Sequence, residues 1–293
     1  MEHFKDKVAV ITGGASGVGR SIGLALAREG AKIVIADVEM SAIEKTVADA
    51  KAIGGDALGI VADVSKADSM CALAKKSIEA YGDIHLVFAN AGVGAGEVGN
   101  LWDYHDNDWS WALNVNVWGV INTIRAFMPR LIEQNIEAHF VITGSTNGGM
   151  INIPASPIYS VTKAAVQSIT EQLYFQMQMM DSPVKINALF PGPHPVSTGI
   201  YNSARNRPAE LPDDPAKPTD TAIRSAEDMQ KLMEKTGVKL EFTSPDEFAE
   251  TALQDIRDDK FWILPLTEVL ENAIKDRNEA IIQRTPLSIV ALG

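Results

Sequence analysis

Tyr159 and Lys163 stand four residues apart in a stretch, 156–180, whose pattern predicts a helix, so the two side chains share a face. A phenol with its ordinary pKa of about 10 is a poor base at neutral pH. An ammonium one helical turn away stabilises the phenolate, and the pair could then take a proton from, or return it to, an alcohol oxygen. An amphipathic helix presents the same two residues for no chemical reason, so the pair needs company to mean anything.

Company begins at the other end of the chain. Thr12-Gly13-Gly14-Ala15-Ser16-Gly17-Val18-Gly19 joins an apolar run at 7–11 to a helical pattern at 18–29. Gly13, Gly17 and Gly19 suit a tight turn that brings backbone N–H groups to a pyrophosphate, with Ser16 and Val18 beside it and the positive helix end behind. Asp37 closes the next apolar run, eighteen residues after Gly19. A carboxylate there accepts hydrogen bonds from ribose hydroxyls and repels an added 2′-phosphate, which selects NAD over NADP. The plainer reading of Asp37 is a polar strand end. Ser16 is neutral where a basic residue would suit NADP. Asp63-Val64 follows the third apolar run, with Asp63 in reach of an adenine edge, and Asn90-Ala91-Gly92 follows the fourth, where backbone can line a cofactor.

The elements that must hold these residues alternate. Apolar runs at 7–11, 31–36, 57–62, 84–89, 139–143, 184–190 and 261–265 read as buried strands. Helical patterns at 18–29, 41–53, 65–81, 156–180 and 268–284 fall between and after them. Ser41 with Glu44 three residues later forms a capping-box pattern. This alternation predicts an α/β protein with a doubly wound parallel sheet, a Rossmann-type fold in one domain spanning 1–293. Residues 199–245 break the rhythm with Pro208, Pro212, Pro215 and Pro218 among many charges. The expectation is a substrate lid inserted over the strand ends, against the alternative of a solvated loop.

Together the turn at 12–19, Asp63, Asn90-Ala91-Gly92, Asn116, Ser145, Tyr159-Ser160-Val161-Thr162-Lys163 and Pro191-Gly192 resemble the short-chain dehydrogenase/reductase family, in the family's order and over about residues 5 to 200. The resemblance implies that Tyr159 donates or accepts the proton and that Lys163 lowers its pKa and holds the nicotinamide ribose. It implies that Ser145 hydrogen-bonds the substrate oxygen and that Asn116, in Asn116-Val117-Trp118-Gly119, supports a water relay behind Lys163. Pro191, Gly192, Val196 and Thr198 would border the nicotinamide. Two positions depart from the family pattern. Ser145 lies fourteen residues before Tyr159, where thirteen is usual, and Thr146 sits at thirteen. Ser145 is preferred because it follows Thr143-Gly144, which leaves one extra residue in the next loop; Thr146 is the alternative donor. Thr198 falls six residues after Gly192 where the family's threonine commonly falls four after, so the Val196 backbone is an alternative contact to the nicotinamide amide.

A net charge of −12 over 293 residues argues against a nucleic-acid or anionic-membrane partner. The single cysteine, Cys71, precludes an internal disulfide and fits a cytoplasmic setting. No apolar run reaches the ~18 residues of a bilayer span. The five histidines are scattered without zinc-ligand spacing, so no metal is expected. The expected partners are a small-molecule alcohol or ketone and, by the resemblance, further copies of the chain in a homodimer or homotetramer.

Substrate identity is less legible. Trp102, Trp109, Trp111 and Trp118 are expected to pack in the core or between helices. Met150, Ile151, Ile153, Pro154 and Tyr201 could line an apolar pocket, which favours a bulky aromatic alcohol over a sugar. His194 lies near the active-site loop. The stretch Ser197–Pro208, with Ile263-Leu264-Pro265, is similar to a subgroup of the family that oxidises the benzylic alcohol of lignin-derived β-aryl ethers; there Arg205 or Arg207 could meet polar substituents, although both could equally be surface arginines. Competing readings are a carbonyl reductase for steroid, sugar or acyl substrates and a catalytically silent NAD-binding protein. An acidic acyl carrier would prefer a basic surface, and an intact Tyr159, Lys163, Ser145 and Asn116 set argues against silence.

Overall fold

The computed structural model describes residues 1–94, 100–213, 225–235 and 240–289. Seven strands, β1 (Val8–Thr12), β2 (Lys32–Asp37), β3 (Asp56–Val61), β4 (Leu86–Ala89), β5 (Ala138–Thr143), β6 (Val184–Leu189) and β7 (Trp262–Ile263), form one sheet in the order β3-β2-β1-β4-β5-β6-β7. Every pairing is parallel. The doubly wound Rossmann-type sheet expected from the alternation is therefore present.

Alternation along β1 shows why the strands read as unbroken apolar runs. Ala9 and Ile11 pack on one face with Ile33, Ile35 and Phe88; Val8 and Val10 pack on the other with Val34, Val87 and Phe140. With both faces buried, Val8 to Ile11 are all apolar, and the one polar residue, Thr12, comes at the strand end where its hydroxyl finds partners. The first face is covered by α1 (Gly17–Arg28) and α2 (Met40–Ala52), together with α9 (Pro245–Arg257). The second is covered by α3 (Ala67–Tyr81), α5 (Gly119–Gln134) and α7 (Pro157–Met179). Among the described residues, no helix is long and apolar enough to cross a membrane.

The chain reverses its winding between β1 and β4, the switch point where such sheets leave a crevice at the carboxyl ends of the strands. Hydrogen bonds stitch those ends together. Thr12 Oγ1 donates to the Phe88 carbonyl (3.0 Å) and accepts from the N–H of Asn90 (3.0 Å). The Asn90 amide donates to the Thr12 carbonyl (3.0 Å), and Thr143 Oγ1 donates to Asn90 Oδ1 (3.2 Å).

Two local expectations are corrected. Helix α2 starts at Met40 with Glu39 as its cap, so Ser41 lies inside the first turn and the Ser41–Glu44 capping box does not form. The cause is Asp37, whose carboxylate accepts from the N–H groups of Val38 (2.7 Å) and Glu39 (3.3 Å) and turns the chain into the helix early. Of the four tryptophans between β4 and α5, Trp111 is buried and Trp109 packs beside it, but Trp102 and Trp118 are exposed.

The segment beyond β6 carries more structure than its prolines suggested. A 3₁₀ stretch, Gly199–Asn206, is capped by Thr198, and α8 (Ala226–Glu234) is capped by Ser225. Thr243 then returns beside Val196: its N–H donates to the Pro195 carbonyl (3.0 Å) and its carbonyl accepts from Ser197 (3.3 Å). Pro215 and Pro218 lie outside the described residues.

Candidate active site

A single cleft of about 1410 Å³ runs along the carboxyl ends of the strands. Of the residues singled out in the sequence, Gly13, Ser16, Gly17, Val18, Asp37, Asp63, Val64, Asn90, Ala91, Gly92, Ser145, Tyr159, Lys163, Pro191, Val196 and Thr198 all border it. Asn116, Gly19 and Gly192 do not.

Gly13 and Gly17 adopt φ of +63° and +51°, which favours glycine, and a Cβ on Gly13 would meet Ala91 Cα at 2.8 Å. The first turn of α1 carries no acidic residue, and Ser16 at its cap makes no side-chain hydrogen bond to it. The amides at this helix end thus face the cleft without a carboxylate competing for an anion. Gly19 works differently from the expectation. A Cβ there would lie 2.4 Å from the Gly13 carbonyl oxygen and 2.5 Å from the Asn90 amide, so this glycine lets the helix close on the turn from behind. Gly192 is buried within the loop after β6.

Asp37 is held at the end of β2 by the N–H groups of Ala15 (3.2 Å), Val38 and Glu39. Burial raises its pKa above the ordinary carboxylate value, and those three backbone donors act against the rise. Asp63 Oδ1 accepts from both the N–H (2.9 Å) and the hydroxyl (2.7 Å) of Ser65, which fixes the turn after β3.

At the centre of the cleft, α7 brings Tyr159 and Lys163 to the same wall, with Lys163 Nζ 5.7 Å from the centroid of the Tyr159 ring. Lys163 is buried and donates to the Thr143 carbonyl (2.8 Å). Desolvation lowers its pKa to about 8. Behind it, Asn116 sits in a π-helical segment, Leu113–Trp118, a widened turn the sequence pattern did not announce. Its side chain accepts from the N–H of Val93 (2.8 Å) and donates to the Val93 carbonyl and to Thr162 Oγ1 (3.0 Å each).

Ser145, two residues past β5, caps the short turn α6 (Thr146–Gly149) in extended conformation, and Thr146 begins that turn. Both border the cleft. The extra residue between Ser145 and Tyr159 is absorbed where Asn147 leaves helical geometry and Gly148 takes φ +93°. A Cβ on Gly148 would lie 2.1 Å from the Ser160 carbonyl, so only glycine fits there. Asn147 Oδ1 accepts from Ile153 N–H (2.9 Å) and Ser160 Oγ (2.6 Å), holding this loop against α7.

The far end of the cleft is apolar. Ile151, Ile153 and Tyr201 border it as expected, whereas Met150 and Pro154 do not. Met229, Leu232 and Met233 of α8 contribute, as do Val269 and Leu270 of α10 (Glu268–Gln283). These five were not anticipated: Met229, Leu232 and Met233 share a helix face by their spacing, and nothing local says which surface that face covers. Both arginines reach the cleft but are occupied. Arg207 donates to the buried Asp108 (2.8 Å) and to the Leu211 and Pro212 carbonyls, and stacks over Trp111 at 5.2 Å. Arg205 is held by Glu39 and by two backbone carbonyls. His194 borders the cleft and pairs with Glu241 across 3.1 Å.

With this geometry in hand, the similarities are informative. The family model described as short chain dehydrogenase matches residues 7–209. A short chain dehydrogenase/reductase from Burkholderia phymatum, solved in complex with NAD, superposes with a TM-score of 0.86 at 36% identity and covers 98% of each chain. The C alpha-dehydrogenase of Sphingobium sp. (strain NBRC 103272 / SYK-6) is 30% identical over 287 residues, 98% of this chain and 89% of that relative. The CLA biosynthesis dehydrogenase/reductase of Lactiplantibacillus plantarum is 29% identical over 282 residues, 96% and 95% of the two chains.

Proposed function

The chain belongs to the short-chain dehydrogenase family of oxidoreductases, and we propose that it is an NAD-dependent enzyme interconverting a secondary alcohol and a ketone, with Tyr159 as acid and base. The observation that carries the reading is one cleft with Asp37 and the Gly13–Gly17 turn at one end and the Tyr159–Lys163 pair midway along it.

The residues present fit the dinucleotide. The left-handed glycines leave a cradle that any Cβ would fill, the N-terminus of α1 faces it, and Asp37 offers a carboxylate suited to ribose hydroxyls. The 2′-phosphate of NADP would meet that carboxylate as a like charge. Bound NAD supplies the hydride acceptor for the carbon that becomes the ketone. Asp63, Val64 and the Asn90-Ala91-Gly92 backbone would border the adenine and ribose portions, and Pro191, Val196 and Thr198 the nicotinamide.

On the protein side, Ser145 holds the substrate oxygen by a hydrogen bond, and Tyr159 takes the hydroxyl proton in oxidation or returns it in reduction. Lys163 remains an ammonium at neutral pH because its lowered value still lies near 8. Its positive charge favours the phenolate of Tyr159, which is what lets a phenol act as a base. Asn116, pinned to Val93 and Thr162, keeps the helix behind Lys163 open in a π-turn and so positions the relay that returns the proton to solvent.

The wide apolar end supports a bulky substrate. The full-length similarity to the C alpha-dehydrogenase supports an aromatic, benzylic alcohol of the lignin-derived β-aryl ether kind. In this reading the described parts of 199–245, residues 199–213, 225–235 and 240–245, act as the lid over that substrate, with α8 as its apolar wall.

The test is NADH formation at pH 7.5 from a β-aryl ether alcohol, simple benzylic alcohols, a long aliphatic alcohol, a steroid alcohol and a sugar, with NAD+ and with NADP+. Turnover of aryl alcohols with NAD+ is expected, and Tyr159→Phe should reduce it by about 1000-fold, within the usual worth of a general acid–base group. Activity on the other alcohols alone would discard the aromatic substrate and keep the mechanism. Turnover unchanged in Tyr159→Phe would discard the mechanism.

A further inference from the structure

Glu39 lies two residues past Asp37 and borders the same end of the cleft. Its Oε1 accepts three hydrogen bonds from the segment beyond β6: from Arg205 Nε (3.1 Å), Arg205 Nη2 (2.7 Å) and Asn206 Nδ2 (2.7 Å). The remaining arm of Arg205, Nη1, donates to the carbonyls of Gly199 (2.9 Å) and Asn202 (2.7 Å). All three nitrogens of this guanidinium are therefore engaged, and its charge is matched by one carboxylate. The pair is about a third exposed on each side, at the rim of the groove next to the carboxylate that faces the ribose.

A planar guanidinium at the rim of a ribose site is the group that otherwise recognises a phosphate by two parallel hydrogen bonds. Here its fork is turned onto Glu39. We infer that Glu39 is a second determinant of cofactor choice, acting by sequestering Arg205: a 2′-phosphate entering this end meets two carboxylates and no available guanidinium. The inference rests on the dinucleotide reading above and adds to Asp37 a residue and a partner that lie 166 positions apart in the chain. It also separates two contributions to selectivity. Asp37 rejects the phosphate by its own charge, and Glu39 by withholding the cation that would receive it.

The two can be told apart by direct binding. NADH and NADPH are titrated calorimetrically into the wild-type protein, Glu39→Gln, Glu39→Ala and Glu39→Gln/Arg205→Ala. Glutamine keeps a carbonyl acceptor for Arg205 and removes only the charge, so the segment beyond β6 stays in position if the alanine variant does not. The wild type should prefer NADH. Glu39→Gln should narrow the NADH-to-NADPH affinity ratio about tenfold, the size of one charge-assisted hydrogen bond gained by the phosphate, with Glu39→Ala narrowing it further. Adding Arg205→Ala should restore the wild-type ratio. A ratio that does not move in Glu39→Gln, or that narrows equally with and without Arg205, overturns the inference while leaving the NAD reading intact. A wild-type protein that binds neither dinucleotide overturns both.

Discussion

The two ends of the cleft are assembled by different means. Where the glycine turn meets β4, positions are fixed by the sheet: Thr12, Asn90 and Thr143 cross-link three strand ends, and Gly13 and Gly19 let backbone approach backbone. Where α8 and the 3₁₀ stretch border the apolar side, positions are fixed by a few polar ties between segments far apart in the chain, Arg207 to Asp108 and His194 to Glu241, while Arg205 reaches back to Glu39 at the first end. One end is over-determined by regular structure, and the other depends on individual side chains. Under the proposed function, hydride and proton transfer need the first, and recognition of one substrate needs the second. Tyr159 and Lys163 stand at the junction.

The contrast can be broken or sharpened by substitution. Arg207→Met should act on the substrate side alone. It leaves Asp108, almost wholly buried, without its countercharge, and removal of one partner of such a pair costs about 3–5 kcal/mol. Thermal unfolding should show the loss, NADH affinity should change little, and Asp108→Asn added to Arg207→Met should recover part of the stability. A large fall in NADH affinity would show that the two ends are one unit.

Lys163→Met tests the junction, and its sign is opposite. The amine titrates near 8 in the folded chain against an ordinary 10.5, so folding is opposed by burial of its charge. That penalty, about 3 kcal/mol at 1.36 kcal/mol per pKa unit, is fully present below pH 8 and disappears as pH rises through 10.5, because the unfolded chain then releases the same proton. The variant should lose turnover yet unfold at a higher temperature than the wild type at pH 7, with the gap closing toward pH 10. A variant less stable than the wild type at pH 7 would mean that the Lys163 bond to the Thr143 carbonyl outweighs the desolvation.

Gly19→Ala should produce the smallest change in stability, about 1–3 kcal/mol for overpacking against backbone, and should fall on the cofactor side. NADH affinity should drop while the substrate-side ties stay in place, as read from unchanged protease resistance of residues 199–213.

How far the sequence reached follows the same division. Tyr159 and Lys163 were readable because a helix fixes what lies four residues on. Asp37, Asp63 and Asn90 were readable because a parallel sheet exposes the residues just past its strands. Gly19 was grouped with the tight turn, and its packing against the Gly13 carbonyl and the Asn90 amide went unread, because a glycine that shapes a turn and one that lets a helix close on that turn are the same letter. Glu39 with Arg205, and Asp108 with Arg207, were invisible as pairs because their partners are 166 and 99 residues away. The Ser145 spacing was half legible: the extra residue could be counted, but not that Gly148 would absorb it against the Ser160 carbonyl.

The meeting of Val196 and Thr243 has an engineering consequence. Beyond β6 the chain passes Pro195 and Val196 and comes back beside them at Thr243, joined by two backbone hydrogen bonds, so the excursion begins and ends at one spot. Such an excursion is a cassette. Exchanging it for one of twice the length adds only about 0.6 kcal/mol of closure entropy, provided that the replacement carries its own partners for Glu39 and Asp108. A single scaffold could in this way be refitted for a differently shaped substrate without touching a strand.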